Sequence, residues 1–514
     1  MRFGSLRPVA IGLVMAIIAA LAYLSLFYPN KLDEDPTIRR YENAVNVKKT
    51  GAKGDGKTDD TKAIQKAINE AAASGKIVYV PRGIYVINPE RPLNMPSGTR
   101  LYGDGKESVL QADPHRFGWE LVRVHGKRID IRHLFMDGNN AVNRVAVVRA
   151  GSQDVSFSSV FAANASQSDD PGSIYYNQMV AGIVIYGETE RINIAHSEVY
   201  NIYARHDTEG TRIARGIYVT TTWGNQETVA REVKITDSAV HHVGPADNGD
   251  CVYYEDPNRR AAGSGERAER AEPNQTGGEK KAGSEAEPAG ADEWAEHDEQ
   301  VASVDTGSLL ERNQFSFCAT RAVYIGANGV TVDNNRIDNL FQGDNKFEGG
   351  PRAGQKAPDM YAGISINADH VMVRNNALEG AGSYYTGIEL GVYETVRNVQ
   401  VIANRITMGN GSDITGTTSI RIGKADGFVV SDNQLTHGGK GIWTWLTALN
   451  GVISDNAIRM PEGGGVQLST YLEEHWQRKI AVTDNDIQAR DYTIGNDSRN
   501  EEMTIEEKKE AAPT

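Results

Sequence analysis

The sequence predicts an all-β chain wound as a parallel β-helix, a solenoid with a capping helix at its N-terminal end. Two phrases repeated along the chain predict the coils, and one amphipathic stretch predicts the cap. The first phrase alternates apolar residues and then reaches an Asn. It reads LLERNQF (309–315), VTVDNNRI (330–337), VMVRNNAL (371–378), VQVIANRI (399–406), FVVSDNQL (428–435), GVISDNAI (451–458) and IAVTDNDI (480–487). The second phrase opens on a small residue and alternates again, as in GIVI from Gly182, GIYV from Gly216, AVYI from Ala322, GISI from Gly363, GIEL from Gly387, SIRI from Ser419, GIWT from Gly441 and GVQL from Gly465. Apolar period 2 in both phrases, without helical periodicity between them, describes strand, bend, strand and spacer, over and over.

The recurring Asn residues are Asn313, Asn335, Asn376, Asn404, Asn433, Asn456 and Asn485, spaced 22 to 41 residues apart. That spread suits solenoid repeats whose insertions collect in loops. Two earlier copies, INIAHSEV (192–199) and VKITDSAV (233–240), carry Ser197 and Ser238 at the same place. Stacked coil over coil, such amides can pass hydrogen bonds along the solenoid axis, so these residues are expected to build the fold and not a site.

Taken in order, residues 1–28 begin with a short basic segment and then an apolar run of 19 residues, Val9 to Phe27, without a charge. The run is long enough to cross a bilayer core, and the preceding Arg2 and Arg7 place the N-terminus inside and the rest outside. It is expected to stay as a transmembrane anchor; cleavage after Ala20-Leu21-Ala22 would instead release a secreted protein. Residues 29–44 are a polar linker. In the next segment, Asp59-Asp60-Thr61 can start a helix that carries Ile64, Ala67, Ile68 and Ala71 on one face. A solenoid must cover its apolar end, and this helix is the expected cover. The β-helix domain then covers residues 45–490, its repeated coils running from about Ile131, and is interrupted at 257–300 by a Glu-, Ala-, Gly- and Arg-rich insertion with almost no aliphatic residues, read as disordered. Residues 491–514 read as a charged tail.

The formal charge of −14 argues against nucleic acid, which needs a basic face. The only cysteines, Cys251 and Cys318, fall at different places in the repeat, which argues against their stacking into a disulfide.

In the second phrase the residues flanking the middle position should point inward, leaving that middle position outside. Coil by coil the outer position is Val184, Tyr218, Tyr253, Tyr324, Ser365, Glu389, Arg421, Trp443 and Gln467. Arg215, Asp250, Glu255, Arg321, Asn367 and Trp445 flank it. Three tyrosines, a Glu beside an Arg, and a Trp in one column are what a sugar-binding groove requires. Removing the proton beside a uronate carboxyl needs a base and a positive group. Tyr218, Tyr253, Tyr324 and Arg215, Arg321, Arg421 can supply them. A hydrolase would need two carboxylates, for which Asp250 and Glu255 are nearest, with Glu389 some coils away. His196, His206, His241 and His242 share these coils and are read as solvated. No cofactor is expected; calcium has only Asp169, Asp170 and Asp344 to recommend it.

Residues 46–87 and LYGDG (101–105) resemble the opening of the pectate-lyase superfamily module shared by rhamnogalacturonases and C5-epimerases. The resemblance rests on GAKGDGKTDDTKAIQKAI (51–68) and VPRGIY (80–85) and, with the coils, covers residues 45–490. It implies a right-handed β-helix and a carbohydrate ligand. Within the superfamily, GDCV (249–252) is similar to a polygalacturonase motif that has two Asp before the Cys, of which only Asp250 is present. Where that family has Gly-His-Gly this chain has Arg321, and its Arg-Ile-Lys is matched only loosely from Arg421 to Lys424. FMDGNN (135–140) is similar to mannuronan epimerases, but their Asp-Pro-His, expected near 184–187, occurs here at 113–115, read as lying ahead of the coils.

Together these readings predict a membrane-anchored, extracytoplasmic protein acting on an acidic polysaccharide, a lyase or epimerase on a uronate-containing glycan. Tyr218, Asp250, Tyr253, Arg321, Glu389 and Arg421 are its catalytic candidates, and Arg215, Glu255, Tyr324, Trp443 and Trp445 its substrate-binding candidates. A glycoside hydrolase of the same superfamily and a non-catalytic envelope scaffold are the alternatives.

Overall fold

Period-2 alternation becomes 13 short strands stacked in one parallel sheet, from Leu93–Met95 to Ile494–Asn496. The Asn phrases form a second, 27-stranded sheet whose strands also pair in parallel. The computed structural model describes residues 43–206, 212–221, 228–246, 248–255, 305–339, 362–380, 386–408, 417–470, 475–497 and 499–506. Over these the chain is a right-handed parallel β-helix with one N-terminal helix. The apolar run 9–27, the linker to residue 42 and the insertion 257–300 lie outside the described residues. Among the described residues, no helix is long and apolar enough to cross a membrane.

The larger sheet folds at a corner, because the residue before each ladder position takes a left-handed conformation. Arg312, Asn334, Asn375, Ala403, Asp432, Asp455 and Asp484 all have φ between 53° and 58°. The following Asn then points inward. Asn404 donates its backbone N–H to Asn433 Oδ1 at 2.9 Å and its side-chain amide to the same oxygen at 3.1 Å, and Asn433 repeats both bonds to Asn456 at 3.0 and 2.9 Å. The chain of amides runs from Asn313 to Asn485, and the serines continue it: Ser238 N–H donates to Asn313 Oδ1 and Ser197 N–H to the Ser238 hydroxyl. All seven Asn residues are buried, so the ladder satisfies polar groups that water cannot reach.

Inside, aliphatic residues stack in register. Ile183, Ile217, Val252, Val323, Ile364, Ile388, Ile420, Ile442 and Val466 form one fully buried column. Each such side chain contributes about 1.5–3 kcal/mol by leaving water. The small residue before this column has a steric reason: a Cβ on Gly216 would lie 2.4 Å from Val240 Cγ1 of the facing sheet, and one on Gly441 2.6 Å from Ile458 Cγ2.

Cys251 stands in that small-residue row, directly before Val252, and its Sγ therefore points across the interior. There it bonds Cys318 in the facing strand Gln314–Cys318, with a Cα–Cα distance of 5.4 Å. The sequence argument against this disulfide is corrected: the partners need not stack, because they meet from opposite sheets.

At the N-terminal end the helix Thr61–Ser74 buries Ile64, Ala67, Ile68 and Ala71 on the first coils, as its periodicity predicts. Asp60, at the helix start, turns its carboxylate to the backbone N–H groups of Lys53 (2.7 Å) and Gly54 (2.9 Å), tying down the Gly-Asp-Gly loop. Asp104 of LYGDG accepts from Tyr79 Oη at 2.9 Å and Arg82 N at 3.1 Å. Coils begin earlier than the Asn phrases suggest, since Leu93–Met95 already pairs with Gly118–Val124 and Gly83–Ile87 with Ser108–Ala112, so Asp113-Pro114-His115 lies among coils and not ahead of them. At the other end Ile494–Asn496 and Thr504–Ile505 still pair with the sheets, which corrects the reading of a tail from residue 491.

Candidate functional site

The outer column of the 13-stranded sheet has the predicted order. In register, Val184 pairs with Tyr218, Tyr218 with Tyr253, Tyr253 with Tyr324, and Tyr324 with Ser365. Ser365 pairs in turn with Glu389, then Arg421, Trp443 and Gln467. A second row three residues upstream aligns Arg215 with Asp250 and Asp250 with Arg321.

Two groups of side chains result. In the first, Asp250 lies between two guanidiniums, paired with Arg215 and 3.5 Å from Arg321 Nη1. Arg215 also donates to Asn248 O at 2.7 Å, and its guanidinium stacks over Tyr253 at 4.0 Å. Tyr253 lies parallel on Tyr324, centroids 4.3 Å apart and planes 8° off, whereas Tyr218 meets Tyr253 edge-on at 5.7 Å. Glu255, just past the strand, accepts from the Tyr218 hydroxyl and from Thr220 Oγ1 at 2.5 Å. Burial raises the Tyr253 pKa above its ordinary value, so the phenol stays protonated well above neutral pH. Burial works against charge on Arg321, yet Asp250 beside it leaves its pKa raised.

In the second group, Arg421 pairs with Glu389 and stacks over Trp445 at 4.7 Å. Trp443 sits 6.2 Å from Trp445, and Lys440 lies 4.4 Å over the Trp443 ring. Burial lowers the Lys440 pKa. A chain of bonds links the two groups: Arg321 Nη2 reaches Tyr393 Oη at 3.3 Å, Tyr393 N–H donates to Asn367 Oδ1 at 3.3 Å, Asn367 Nδ2 to Ser365 Oγ at 3.3 Å, and Ser365 Oγ to Glu389 Oε1 at 2.7 Å.

Exposure separates the candidates. Glu389, at the outer position, has only 2% of its surface in solvent and the flanking Asp250 0%, so neither lies open on the groove face. Val184, Arg215, Tyr218, Glu255 and Arg321 are buried as well, none with more than 9% of its surface in solvent. Tyr253, Tyr324, Arg421, Trp443, Trp445 and Gln467 keep part of their surface in solvent. Tyr393, 44% exposed, was missed by sequence reasoning; its only signal is a place four residues after Glu389, beyond the strand end. The histidines do not join the column. His241 and His242 belong to the larger sheet, where His241 Nε2 is 3.1 Å from Glu198; His196 takes the left-handed corner after the strand Glu190–Ala195, and His206 stacks on Tyr176 at 4.0 Å. Of the calcium candidates, Asp169 pairs with Arg205 at 2.9 Å, Asp170 caps Gly172 N at 2.9 Å, and Asp344 lies outside the described residues. A concavity of about 620 Å³ follows the outer side of the ladder corner, away from the column, where Arg312 is already bonded to Asp237.

Residues 44–242 match the family model described as rhamnogalacturonase A/epimerase, pectate lyase-like. Over residues 44–242 the chain is pectate-lyase-like. This pectate-lyase-like chain is 39% identical over 104 residues to a preneck appendage protein of Bacillus phage PZA, covering 19% of the chain and 11% of that protein. It is 41% identical over 104 residues to an exopolygalacturonase of Arabidopsis thaliana, covering 19% and 22%. The chain thus spans less than a quarter of the length of either curated relative. Among solved structures, PfbA, a surface adhesin of Streptococcus pneumoniae, superposes with a TM-score of 0.53 at 15% identity, over 84% of this chain and 93% of that one. The catalytic unit of a GH87 α-1,3-glucanase from Streptomyces thermodiastaticus gives 0.50 at 14% identity, over 89% and 70%. At these identities the superpositions speak for the pectate-lyase-like fold alone.

Proposed function

We propose that the outer face of the 13-stranded sheet binds an acidic polysaccharide and performs lyase or epimerase chemistry on its uronate units. The observation that carries this reading is the parallel Tyr253–Tyr324 stack in line with Arg321, Arg421 and the Trp443–Trp445 pair. Flat rings offer faces to pyranoses, and Tyr324 and Trp443 stand four coils apart, roughly 19 Å at about 4.8 Å per coil. Arg421, and Arg321 beside Tyr393, are assigned to neutralise the uronate carboxyl, which makes the adjacent proton removable. The Tyr218–Glu255 pair is assigned to accept that proton. The raised pKa of Tyr253 fits a proton donor and not a base.

A hydrolase is less favoured, because Asp250 is fully buried between its two arginines and two carboxylates must address one glycosidic bond. A non-catalytic scaffold is the second reading, favoured by the carboxylate already paired with each guanidinium of the column. The disulfide supports an oxidising compartment, and with the apolar run 9–27 an anchored, extracytoplasmic location is proposed.

The test is incubation of the protein with polygalacturonate, alginate and neutral glycans, following unsaturated-uronate absorbance and reducing ends together. A lyase yields both, and Tyr218→Phe or Arg421→Ala should lower the rate about a hundredfold or more. Tyr324→Ala should weaken retention roughly fivefold, on the order of 1 kcal/mol. Reducing ends without absorbance would transfer the reading to a hydrolase. Retention with no product and no exchange of solvent protons into the polymer would leave the scaffold.

A further inference from the structure

The groove face is not uniform along its length. At its N-terminal coils the outer positions are filled: Val147, Ala181, Val184 and Tyr218 form a small buried cluster outside the sheet, separate from the solenoid core, with Met179, Tyr186 and Tyr253 packed against it. Beyond it Glu120, fully buried, is clamped by Arg123 at 2.6 Å and Arg149 at 2.7 Å. Arg149 in turn covers the Tyr186 ring at 5.5 Å.

The segment leading into this wall is anchored at several points. Asn143 Nδ2 donates to the carbonyls of Ser166 and Tyr175, both at 3.1 Å. Gln167 donates to Gln178 O at 2.7 Å and His206 O at 3.0 Å, and Tyr175 sits edge-on to Trp119 at 5.0 Å. Apolar packing and hydrogen bonds to backbone make this a built wall and not a chance closure.

The opposite end differs. Trp443, Trp445 and Gln467 keep surface in solvent, and among the described residues the column finishes at Gly495, beside which Tyr492 donates its hydroxyl to Gln467 Oε1 at 2.8 Å. A face filled behind Tyr253 and solvent-exposed at Tyr324, Arg421 and Trp443 admits a linear polymer at Tyr253 only by its end.

We propose that the groove recognises a chain terminus: the last sugar of the polysaccharide lodges over Tyr253 against the Tyr218–Val184 wall, and the remaining units run out along Tyr324, Arg421 and Trp443. This rests on the glycan reading above and specifies which part of the polymer is bound.

The experiment compares long polygalacturonate and alginate with the same polymers partially hydrolysed to tenfold shorter chains, at equal mass, in a binding assay with the purified full-length protein. Terminus recognition predicts that the half-saturating mass concentration falls about tenfold on shortening, in step with the number of ends. An unchanged or higher value would mean that the chain interior is bound and would overturn the inference while leaving the glycan reading intact. Retention of neither polymer nor fragments would end the glycan reading and this inference with it. Met179→Ala combined with Tyr186→Ala, which thins the wall away from the assigned residues, should reduce the tenfold preference for short chains toward unity; a preference that stays tenfold in the folded variant would count against the wall as its cause.

Discussion

Asn433 shows how much one residue carries in this fold. Its side chain donates to Val401 O at 2.9 Å and to Asn456 Oδ1, while its own oxygen accepts both amide groups of Asn404. Replacing it by Ala strands a buried carbonyl and a buried N–H, each worth about 1–3 kcal/mol when left without a partner. Asn433→Ala should therefore cost about 2–5 kcal/mol, read from urea midpoints. Asn485→Ala, at the ladder's end and slightly open to solvent, should cost about half as much. The ladder was legible because the same Asn returns at the same point of the same phrase. The groove column was legible from period 2 alone, residue for residue from Val184 to Gln467. The burial of Asp250 and Glu389 was not, since it comes with side chains that neighbouring strands lay on them, Arg215 and Arg321 on the one and Ser365 and Arg421 on the other, and period 2 does not fix where such long side chains turn. Tyr393 escaped because it lies past its strand's end, where no repeat applies.

At the scale of elements, the small-residue row and the segment Ser166–Met179 decide what the sheets can do. The row was visible in the sequence, but its meaning was not. It marks where one sheet approaches another, so Cys251 within it reaches Cys318. The wall segment is held partly by His206, stacked on Tyr176 and facing Asp169, Arg205 and Arg212. Burial lowers the His206 pKa, with Asp169 opposing and the two arginines adding to the shift. The folded state then binds the proton less readily than the unfolded one, whose value is about 6.5. The associated stability is complete above that value and is lost as pH falls through the lowered folded value. His206→Phe, which keeps the stack and removes the titration, should flatten the fall in urea midpoint between pH 7 and 5. An unchanged slope would show that His206 does not titrate in that window.

For the molecule as a whole, the solenoid has no closed surface of its own at either end. The helix Thr61–Ser74 supplies one at the N-terminus by burying Ile64 and Ile68 completely. Ile64→Asp with Ile68→Asp should uncover the first coil and yield concentration-dependent association in size-exclusion chromatography, whereas exposed Lys66→Asp should stay at the wild-type elution volume. The cap was readable in advance because helical periodicity occurs there against a background of period 2. The length of the coiled body was less so: pairing continues to Ile505 through short strands with little apolar content.

The bond between Cys251 and Cys318 also brackets the polar insertion in the linear chain. A protease that cuts anywhere in that stretch produces two polypeptides, yet they remain one molecule, joined by sulfur and by the parallel pairing of Asn248–Tyr254 with Arg321–Ile325. Such a nicked form would migrate at full length on a denaturing gel until a thiol is added. The insertion can thus be severed without the groove on either side of it coming apart.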